Sequence, residues 1–301
     1  MITPPYLTKL DKVGIVAPAR CINFDGVHPS IRVFQKWGLE VVLGTNIFRK
    51  CNQFAGRDEM RLADLQQMLD DDSIRAIICA RGGYVTVRII DQVDFTRFQK
   101  KPKWIVGYSD ITVLHSHIHR HLGIETLHAV MPVNITVDDA PDDAQETLRN
   151  ALFGKIRSYS YPCTPLCRTG QTEGVLTGGN LSILYSLMGS VSEIDTAGKI
   201  LFLEDVDEYL YHIDRMMMSL KRTGKLAKLK GLIVGGMEKM NDNTIPYGKS
   251  ANEIIMDAVA EYHYPVCFDF PSGHGENNLA LILGRKVTLN VGAEVELIFT
   301  K

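Results

Sequence analysis

The sequence lacks the features of a membrane protein or a nucleic-acid-binding protein. Its 301 residues include no apolar stretch long enough to span a bilayer. Residues 1–20 lack the basic region, apolar core and cleavage site of a signal peptide. The net charge is −2, from 33 basic and 35 acidic residues, so no basic surface is indicated. We therefore expect neither nucleic acid nor a membrane as a partner.

Cysteine and tryptophan are also scarce, with six and two residues respectively. The cysteines are scattered, and Cys79 lies in an apolar run, a distribution typical of reduced, partly buried thiols. We therefore expect a cytoplasmic protein. Cys163 and Cys167 could begin a structural zinc site, but the second cysteine pair that such a site needs is missing.

The length of the chain fits two domains. In the first part, strand-like apolar runs at 13–17, 40–43, 74–80 and 103–106 alternate with helical patterns at 29–37, 57–69 and 111–121. This alternation predicts an α/β fold with a mostly parallel sheet. Composition changes near residue 153, so we predict an N-terminal domain at 1–153, a linker at 154–170 and a C-terminal domain at 171–301.

The C-terminal part has the same kind of pattern. Strands are predicted at 199–204 and 231–234, a helix around 212–221, and a β region at 280–299. A further helix opens with Ser250 and Glu253 at the spacing of a capping box. These elements predict a second, smaller α/β domain.

One strand–turn–helix segment contains a candidate nucleophile. In KPKWIVGYSDITVLHSHIH, Ser109 lies at the turn and Gly107 precedes it by two residues. A serine there is exposed at the edge of the sheet, and the Asp110 amide, at the start of the helix, can face an oxyanion. The alternative is that Ser109 or Asp110 only caps the helix, since the second glycine of a nucleophile elbow is absent.

A glycine-rich turn, ICARGGYVTVRII, precedes this segment. Gly82 and Gly83 follow a buried strand, and such turns present backbone N–H groups to an anion. The turn matches neither the dinucleotide-binding fingerprint nor the P-loop. A phosphate-binding or purely structural turn remains an alternative.

A nucleophilic serine needs a base and a group that orients the base. His274 lies between two glycines in PSGHGENN, and Glu204 ends the apolar strand of KILFLED. Glu208 competes with Glu204 as the orienting carboxylate, and we prefer Glu204 because it lies directly on the strand end. His274 could instead be an ordinary surface-loop residue.

Four histidines at 115, 117, 119 and 121 suggest a different chemistry. Their spacing, in pairs four residues apart, can bind zinc on a helix, but the glutamate of a metalloprotease helix is missing. A polar, partly buried helix face is the favoured interpretation. We expect neither a metal nor a cofactor.

Together these motifs resemble the LD-carboxypeptidases of serine peptidase family S66, which includes the microcin C immunity peptidases. The resemblance covers nearly the whole chain and rests on KVGIVAPA, FAGRDEMRLADLQ, ARGGY, GYSDIT, GVLTGGNLSIL, ILFLEDVDE, IDRMM and PSGHGENN.

The resemblance implies a triad of Ser109, Glu204 and His274, with an oxyanion hole formed by the backbone amides of Gly83 and Asp110. It implies a flavodoxin-like N-terminal domain, a smaller C-terminal α/β domain, and an active site in the cleft between them. The implied substrate is a muropeptide tetrapeptide, cut between the L-centre of diaminopimelate and the terminal D-alanine. A homodimer is the expected assembly.

Four further residues in the matched motifs are assigned to substrate binding: Arg81, Tyr84, Asn180 and Arg215. An arginine suits the free carboxylate of a carboxypeptidase substrate, although these side chains could instead hold loops together. The sequence departs from the family at Val85, where glycine is usual. We predict that Val85 has a negative φ, leaves the Gly83 amide in place and reshapes the adjoining pocket.

Two other functions remain open. An immunity peptidase acting on peptidyl-nucleotides needs an aromatic platform, and neither Trp37 nor Trp104 lies in the loops of the second half. A non-catalytic muropeptide-binding module is disfavoured by the intact set of Ser109, Glu204 and His274.

Overall fold

The computed structural model describes residues 1–136 and 142–300. The strands of this part of the chain are β1 (Lys12–Val16), β2 (Glu40–Leu43), β3 (Ile74–Cys79), β4 (Trp104–Val106), β5 (Thr126–His128), β6 (Ser158–Pro162), β7 (Gly170–Asn180), β8 (Lys199–Val206), β9 (Gly231–Glu238), β10 (Val266–Cys267), β11 (Leu281–Leu283), β12 (Lys286–Val291) and β13 (Glu294–Phe299). Its α-helices are α1 (Phe24–Lys36), α2 (Asp58–Asp70), α3 (Thr96–Lys100), α4 (Thr112–His121), α5 (Asp143–Leu152), α6 (Leu181–Ser186), α7 (Leu210–Arg222) and α8 (Ala251–Ala258).

The chain forms two compact units. The first contains Met1–Lys155 together with Leu279–Ile282, and the second contains Ile156–Asn278 together with the residues from Leu283 onward. None of the helices in the described ranges is long and apolar enough to cross a membrane.

The first unit is built on a six-stranded sheet with the order β11-β5-β4-β3-β1-β2. The strands from β1 to β5 pair in parallel. Their order, 2-1-3-4-5, is that of flavodoxin-like folds, which confirms the predicted architecture. In such sheets ligands bind beyond the carboxyl ends of the strands, where the strand order reverses. The ARGGY motif follows β3 at this point, and the GYSD motif follows the adjacent strand β4 at the same edge of the sheet.

The central strands of this sheet form because their apolar runs are buried on both faces. In β3 and β4 every residue except Arg75 is buried, as expected for a parallel sheet covered by helices. Helix α1 begins earlier than the predicted 29–37. Asn23 caps it by accepting a hydrogen bond from Gly26 N at 3.0 Å, so Pro29 lies inside the helix instead of at its start.

The second unit contains a seven-stranded sheet with the order β10-β9-β8-β7-β12-β13-β6. Strands β7 to β10 pair in parallel, whereas β12, β13 and β6 add antiparallel pairs on the other side. Helices α6, α7 and α8 pack on the parallel part through residues such as Leu201, Met216 and Ile255. The capping box predicted from Ser250 and Glu253 is present at the start of α8.

Two segments differ from the simple division by sequence. Part of the segment assigned to the linker forms β6, because Tyr159 and Tyr161 pack edge-on against the Phe270 ring and Tyr159 also packs against Phe299. Strand β11 comes from the C-terminal part of the sequence but joins the sheet of the first unit. Strand β6 was not predicted because its sequence is polar. The position of β11 depends on pairing with a strand far away in the sequence, which local patterns do not indicate.

Candidate active site

The turn after β4 holds Ser109 in a strained conformation. Ser109 has φ +62° and begins a short 3-10 turn, Ser109–Ile111, that leads into α4. A left-handed conformation at a non-glycine residue costs about 1–3 kcal/mol and is typical of functional turns. Gly107 has φ +154°, and a β-carbon there would lie 2.8 Å from Ile111 Cγ1. This is the backbone geometry of a nucleophile elbow, although the sequence has only one of its glycines.

The glycine-rich turn after β3 lies directly beside this serine. A β-carbon on Gly82 would be 3.0 Å from Ser109 Cβ, 3.1 Å from Ser109 Oγ and 3.5 Å from Asp110 N. At Gly83, a β-carbon would meet Arg20 Cγ at 2.8 Å and Ala19 Cβ at 2.9 Å. A β-carbon at Gly83 would therefore force its neighbours to move, one at Gly82 would press on Ser109, and the two predicted motifs meet at Ser109.

The Asp110 side chain joins the two turns, a role that was not predicted from the sequence. Its Oδ2 accepts hydrogen bonds from Val85 N at 3.1 Å, Thr86 N at 3.0 Å and Thr86 Oγ1 at 2.8 Å. Burial raises the pKa of this carboxyl group, whereas the three hydrogen bonds favour its charged form. Asp110 thus fixes the loop that contains Gly83 relative to Ser109.

Val85 adopts the backbone conformation that was predicted for it. Its φ is −130°, so the residue is not strained, and its amide donates to Asp110. The side chain is buried, with 7% of its surface exposed. Its effect on a substrate pocket, and the direction of the Gly83 N–H, stay predictions.

In the second unit, Glu204 and His274 form a short hydrogen bond, as predicted. His274 Nδ1 lies 2.6 Å from Glu204 Oε2, and the side chain of Glu204 is fully buried. Gly273 has φ +123°, and a β-carbon there would lie 2.9 Å from Glu204 Cβ. The loop is also held by Asn278 Oδ1, which accepts from Gly273 N at 3.0 Å. Only glycine allows the loop to bring the imidazole this close to β8.

The competing carboxylate is used elsewhere. Glu208 Oε2 lies 2.6 Å from Nδ1 of His212, one helical turn further along the chain. Glu208 therefore stabilises the start of α7, and Glu204 is the partner of His274.

The surroundings of His274 favour its protonated form. Burial of the ring lowers the pKa of His274, but the hydrogen bond and charge of Glu204, with the charges of Asp205 and Glu238, outweigh it and raise the pKa. Glu238 ends β9 and lies opposite Val206 of β8. Glu238 was not among the predicted site residues, although it follows an apolar strand in the same manner as Glu204.

Asp205, the residue after Glu204, belongs to a polar network of its own. It accepts hydrogen bonds from Asn180 Nδ2 at 2.9 Å, Ser182 N at 2.8 Å and Val206 N at 2.9 Å. Burial and the neighbouring charge of Glu204 raise the pKa of Asp205 to about 7. Asn180 also caps α6 through Ile183 N. Its buried side chain therefore supports Asp205, and its contact with substrate stays a prediction.

The other three residues assigned to substrate each have a contact within their own unit. Arg81 Nη1 donates to the Cys21 carbonyl at 3.4 Å. Tyr84 is 64% exposed, with the Arg20 guanidinium 5.9 Å from its ring centre. Arg215 is exposed on α7 and lies 5.3 Å from the Tyr211 ring centre. Their roles in binding stay predictions.

The histidine-rich segment forms α4, but its side chains make separate contacts. His115 Nε2 lies 2.8 Å from the Gly107 carbonyl oxygen, and His119 Nε2 lies 3.0 Å from Thr126 Oγ1. The His117 ring stacks on Phe95 and packs against His121. Within residues 1–136 and 142–300, no group of three or more His, Cys, Asp or Glu side chains is arranged to hold a metal ion.

Comparison with known families covers both units. Residues 13–129 match the model of the LD-carboxypeptidase N-terminal domain, and residues 173–289 match the model of the LD-carboxypeptidase C-terminal domain.

Curated relatives match along most of their length. The chain is 35% identical to a probable murein peptide carboxypeptidase of Bacillus subtilis (98% of this chain, 93% of the relative). It is 30% identical to a murein tetrapeptide carboxypeptidase of Pseudomonas aeruginosa (92% of each chain).

Solved structures share the fold. Muramoyltetrapeptide carboxypeptidase from Oxalobacter formigenes is 26% identical, with a TM-score of 0.86 over 96% of this chain and 99% of that one. The microcin C7 self-immunity protein MccF has a TM-score of 0.88 at 20% identity, over 100% of this chain and 99% of that one, which shows the fold alone. The first family model covers the Ser109 turn, and the second covers the Glu204–His274 pair. This chain therefore belongs to the LD-carboxypeptidase family.

Proposed function

We propose that this protein is a serine carboxypeptidase that hydrolyses the L,D peptide bond before the terminal D-alanine of a murein tetrapeptide. The buried 2.6 Å hydrogen bond between Glu204 and His274 is the observation on which this proposal chiefly rests. A fully buried carboxylate bound to one imidazole nitrogen orients the ring as the base of a serine nucleophile. The names of the Bacillus subtilis and Pseudomonas aeruginosa relatives support the substrate class.

In the proposed reaction His274 acts through Nε2, because Nδ1 is bonded to Glu204. Nε2 takes the Ser109 hydroxyl proton as Oγ attacks the carbonyl carbon of the L,D bond. The backbone amides of Gly83 and Asp110 stabilise the oxyanion. His274 then protonates the amine of the departing D-alanine, and a water molecule, deprotonated by the same nitrogen, hydrolyses the acyl-enzyme.

Recognition of the substrate requires a partner for its free carboxylate. We assign this role to Arg81 or Arg215, with Tyr84 and Asn180 lining the site. An arginine binds a carboxylate through two parallel N–H groups, which fixes its orientation as well as its charge. Substitution of each arginine by lysine, followed by measurement of KM, tests this assignment. A raised KM with unchanged kcat is the expected result for a residue that contacts the carboxylate.

We further propose a cytoplasmic location and a homodimeric assembly. All six cysteines are free thiols, which suits a reducing compartment. Sedimentation analysis of the purified protein tests the assembly, and fractionation of the source cells tests the location.

The activity is tested with two purified tetrapeptides that differ only in the configuration of the cleaved linkage. We expect release of D-alanine, detected by mass, from the L,D-linked peptide and none from the D,D-linked peptide. Ser109→Ala serves as the inactive control. An aspartyl-nucleotide substrate forms a third arm, since its preferential cleavage would indicate an immunity peptidase. Binding of the L,D-linked peptide without cleavage would indicate a non-catalytic module.

A further inference from the structure

One histidine of α4 touches the nucleophile turn itself. His115 is fully buried, and its Nε2 lies 2.8 Å from the carbonyl oxygen of Gly107, two residues before Ser109. We propose that His115 is a positioning residue that holds the Ser109 turn in its reactive conformation through this hydrogen bond. The inference rests on the proposed function of Ser109 as a nucleophile.

The contact defines the state of the imidazole. A carbonyl oxygen only accepts hydrogen bonds, so Nε2 must carry the proton and donate it. Nδ1 is buried and makes no hydrogen bond with any residue of the described chain. Burial also lowers the pKa of His115 to about 4, so the ring is neutral at neutral pH. His115 therefore acts as a fixed donor and exchanges no proton during the reaction.

Gly107 is the residue of the turn whose backbone most needs a hydrogen bond of the kind that His115 donates. Glycine permits many backbone conformations, and Gly107 has φ +154°. Its N–H donates to the Leu127 carbonyl in β5 at 3.0 Å, and its carbonyl accepts from His115 on α4. Ala129 N lies 3.4 Å from the same carbonyl, a longer contact. Without His115, the carbonyl would keep only this weaker partner.

The position of the turn in the chain links this contact to Ser109. A non-glycine residue stays at φ +62° only where the surroundings impose it. His115 lies on the helix that Ser109 introduces, so its bond to Gly107 closes the turn from the helix back to the end of β4. Rotation of the backbone at Gly107 would displace the Ser109 hydroxyl from the position that the turn gives it.

Two substitutions separate the hydrogen bond from the packing. His115→Leu removes the donor but keeps an apolar side chain in the buried site, whereas His115→Gln keeps an N–H at the end of the side chain. His119→Leu is the matched control, because His119 lies one turn further along α4 and contacts Thr126. For each variant we measure kcat, KM, the melting temperature and the rate of Ser109 labelling by a fluorophosphonate.

We expect His115→Leu to lower kcat and the labelling rate by about 10- to 100-fold with little change in KM, as for a displaced reacting group. His115→Gln should recover most of both rates, and His119→Leu should resemble the wild type. Normal rates in His115→Leu would overturn the proposal. The proposal would also be overturned if His115→Gln lost as much activity as His115→Leu and both variants had lower melting temperatures. That result would mean that His115 has a purely structural role.

If His115→Leu does not fold, His115→Met replaces it, since methionine fills an irregular site without an N–H. The labelling assay needs no muropeptide. A wild-type protein that reacts with the fluorophosphonate but releases no D-alanine would therefore disprove the proposed substrate, while the His115 comparison would still be decided.

Discussion

Gly82 lies so close to Ser109 that a β-carbon at position 82 would be 3.1 Å from the serine Oγ. If Ser109 is the nucleophile as we propose, this glycine leaves space beside its hydroxyl for the substrate carbonyl. A methyl group at position 82 would press on the Ser109 side chain, which would have to shift slightly to make room for it.

We expect Gly82→Ala to reduce kcat by at least about 10-fold, because a small displacement of a reacting group has large kinetic effects. The folded state should be retained, since Gly82 does not have a positive φ. Gly292→Ala is a suitable control, because a β-carbon there would meet only the Glu294 carbonyl oxygen at 3.7 Å. Steady-state kinetics of both variants measure kcat and test this expectation. Normal activity of Gly82→Ala would contradict the proposed approach of the substrate.

The proposed triad of Ser109, Glu204 and His274 should behave as one unit. Ser109→Ala and His274→Ala should each lower kcat by several orders of magnitude, and the double variant should be scarcely worse than either single variant. Circular dichroism should show that all three remain folded. Near-normal turnover by Ser109→Ala would exclude Ser109 as the nucleophile.

The two glutamates near the end of β8 offer a matched comparison. Glu204→Gln should cost about 10³- to 10⁴-fold in kcat, because an amide cannot stabilise the imidazolium that forms during attack. Glu208→Gln should change kcat little, since Glu208 is bonded to His212. The assignment of the orienting carboxylate would be reversed if Glu208→Gln were the more damaging change.

The raised pKa of His274 predicts the pH dependence of the reaction. His274 must be neutral to act as a base, so kcat/KM should fall as pH decreases, with a midpoint above the ordinary histidine pKa of about 6.5. Glu204→Gln should move this midpoint to lower pH, because it removes the main interaction that favours the protonated ring. A midpoint unaffected by Glu204→Gln would contradict this account.

The Glu204–His274 interaction also makes the stability of the protein depend on pH. Low pH lowers the expected activity, but it strengthens this contribution to stability. Because the folded-state pKa is raised, the interaction stabilises the protein most below the ordinary histidine pKa, and this contribution is lost as pH rises through the raised value. Urea unfolding of the wild type and of Glu204→Gln at several pH values measures the difference. The difference in unfolding free energy between the two proteins should become smaller as pH rises from the ordinary histidine pKa through the raised pKa of His274.

Val85→Gly tests the departure from the family pattern. Val85 has a negative φ and a buried side chain, so the substitution should lower stability by about 1–3 kcal/mol through lost burial and added chain entropy. We also predict an altered preference among peptide substrates, with the chemistry retained. Competition between peptides of different length measures this preference, and an unchanged profile would rule out a pocket role for Val85.

The local features of the site could be predicted from the sequence because each depends on short-range chemistry. A glycine-rich turn after an apolar strand, and a serine between a strand and a helix, indicate their own positions without any knowledge of distant residues. The order of the motifs indicated the family, and the capping box at Ser250 was fully local.

Only the tertiary structure decided which groups meet. Glu204 and Glu208 are both acidic residues near the end of β8, and the choice between them depends on a loop 70 residues away that Gly273 brings against β8. The hydrogen bond from Thr86 to Asp110 and the pairing of β11 with the sheet of the first unit could not be predicted for the same reason. Side-chain type limits what a residue can bind, but hydrogen bonds act over about 3 Å, and only the folded backbone brings distant residues that close.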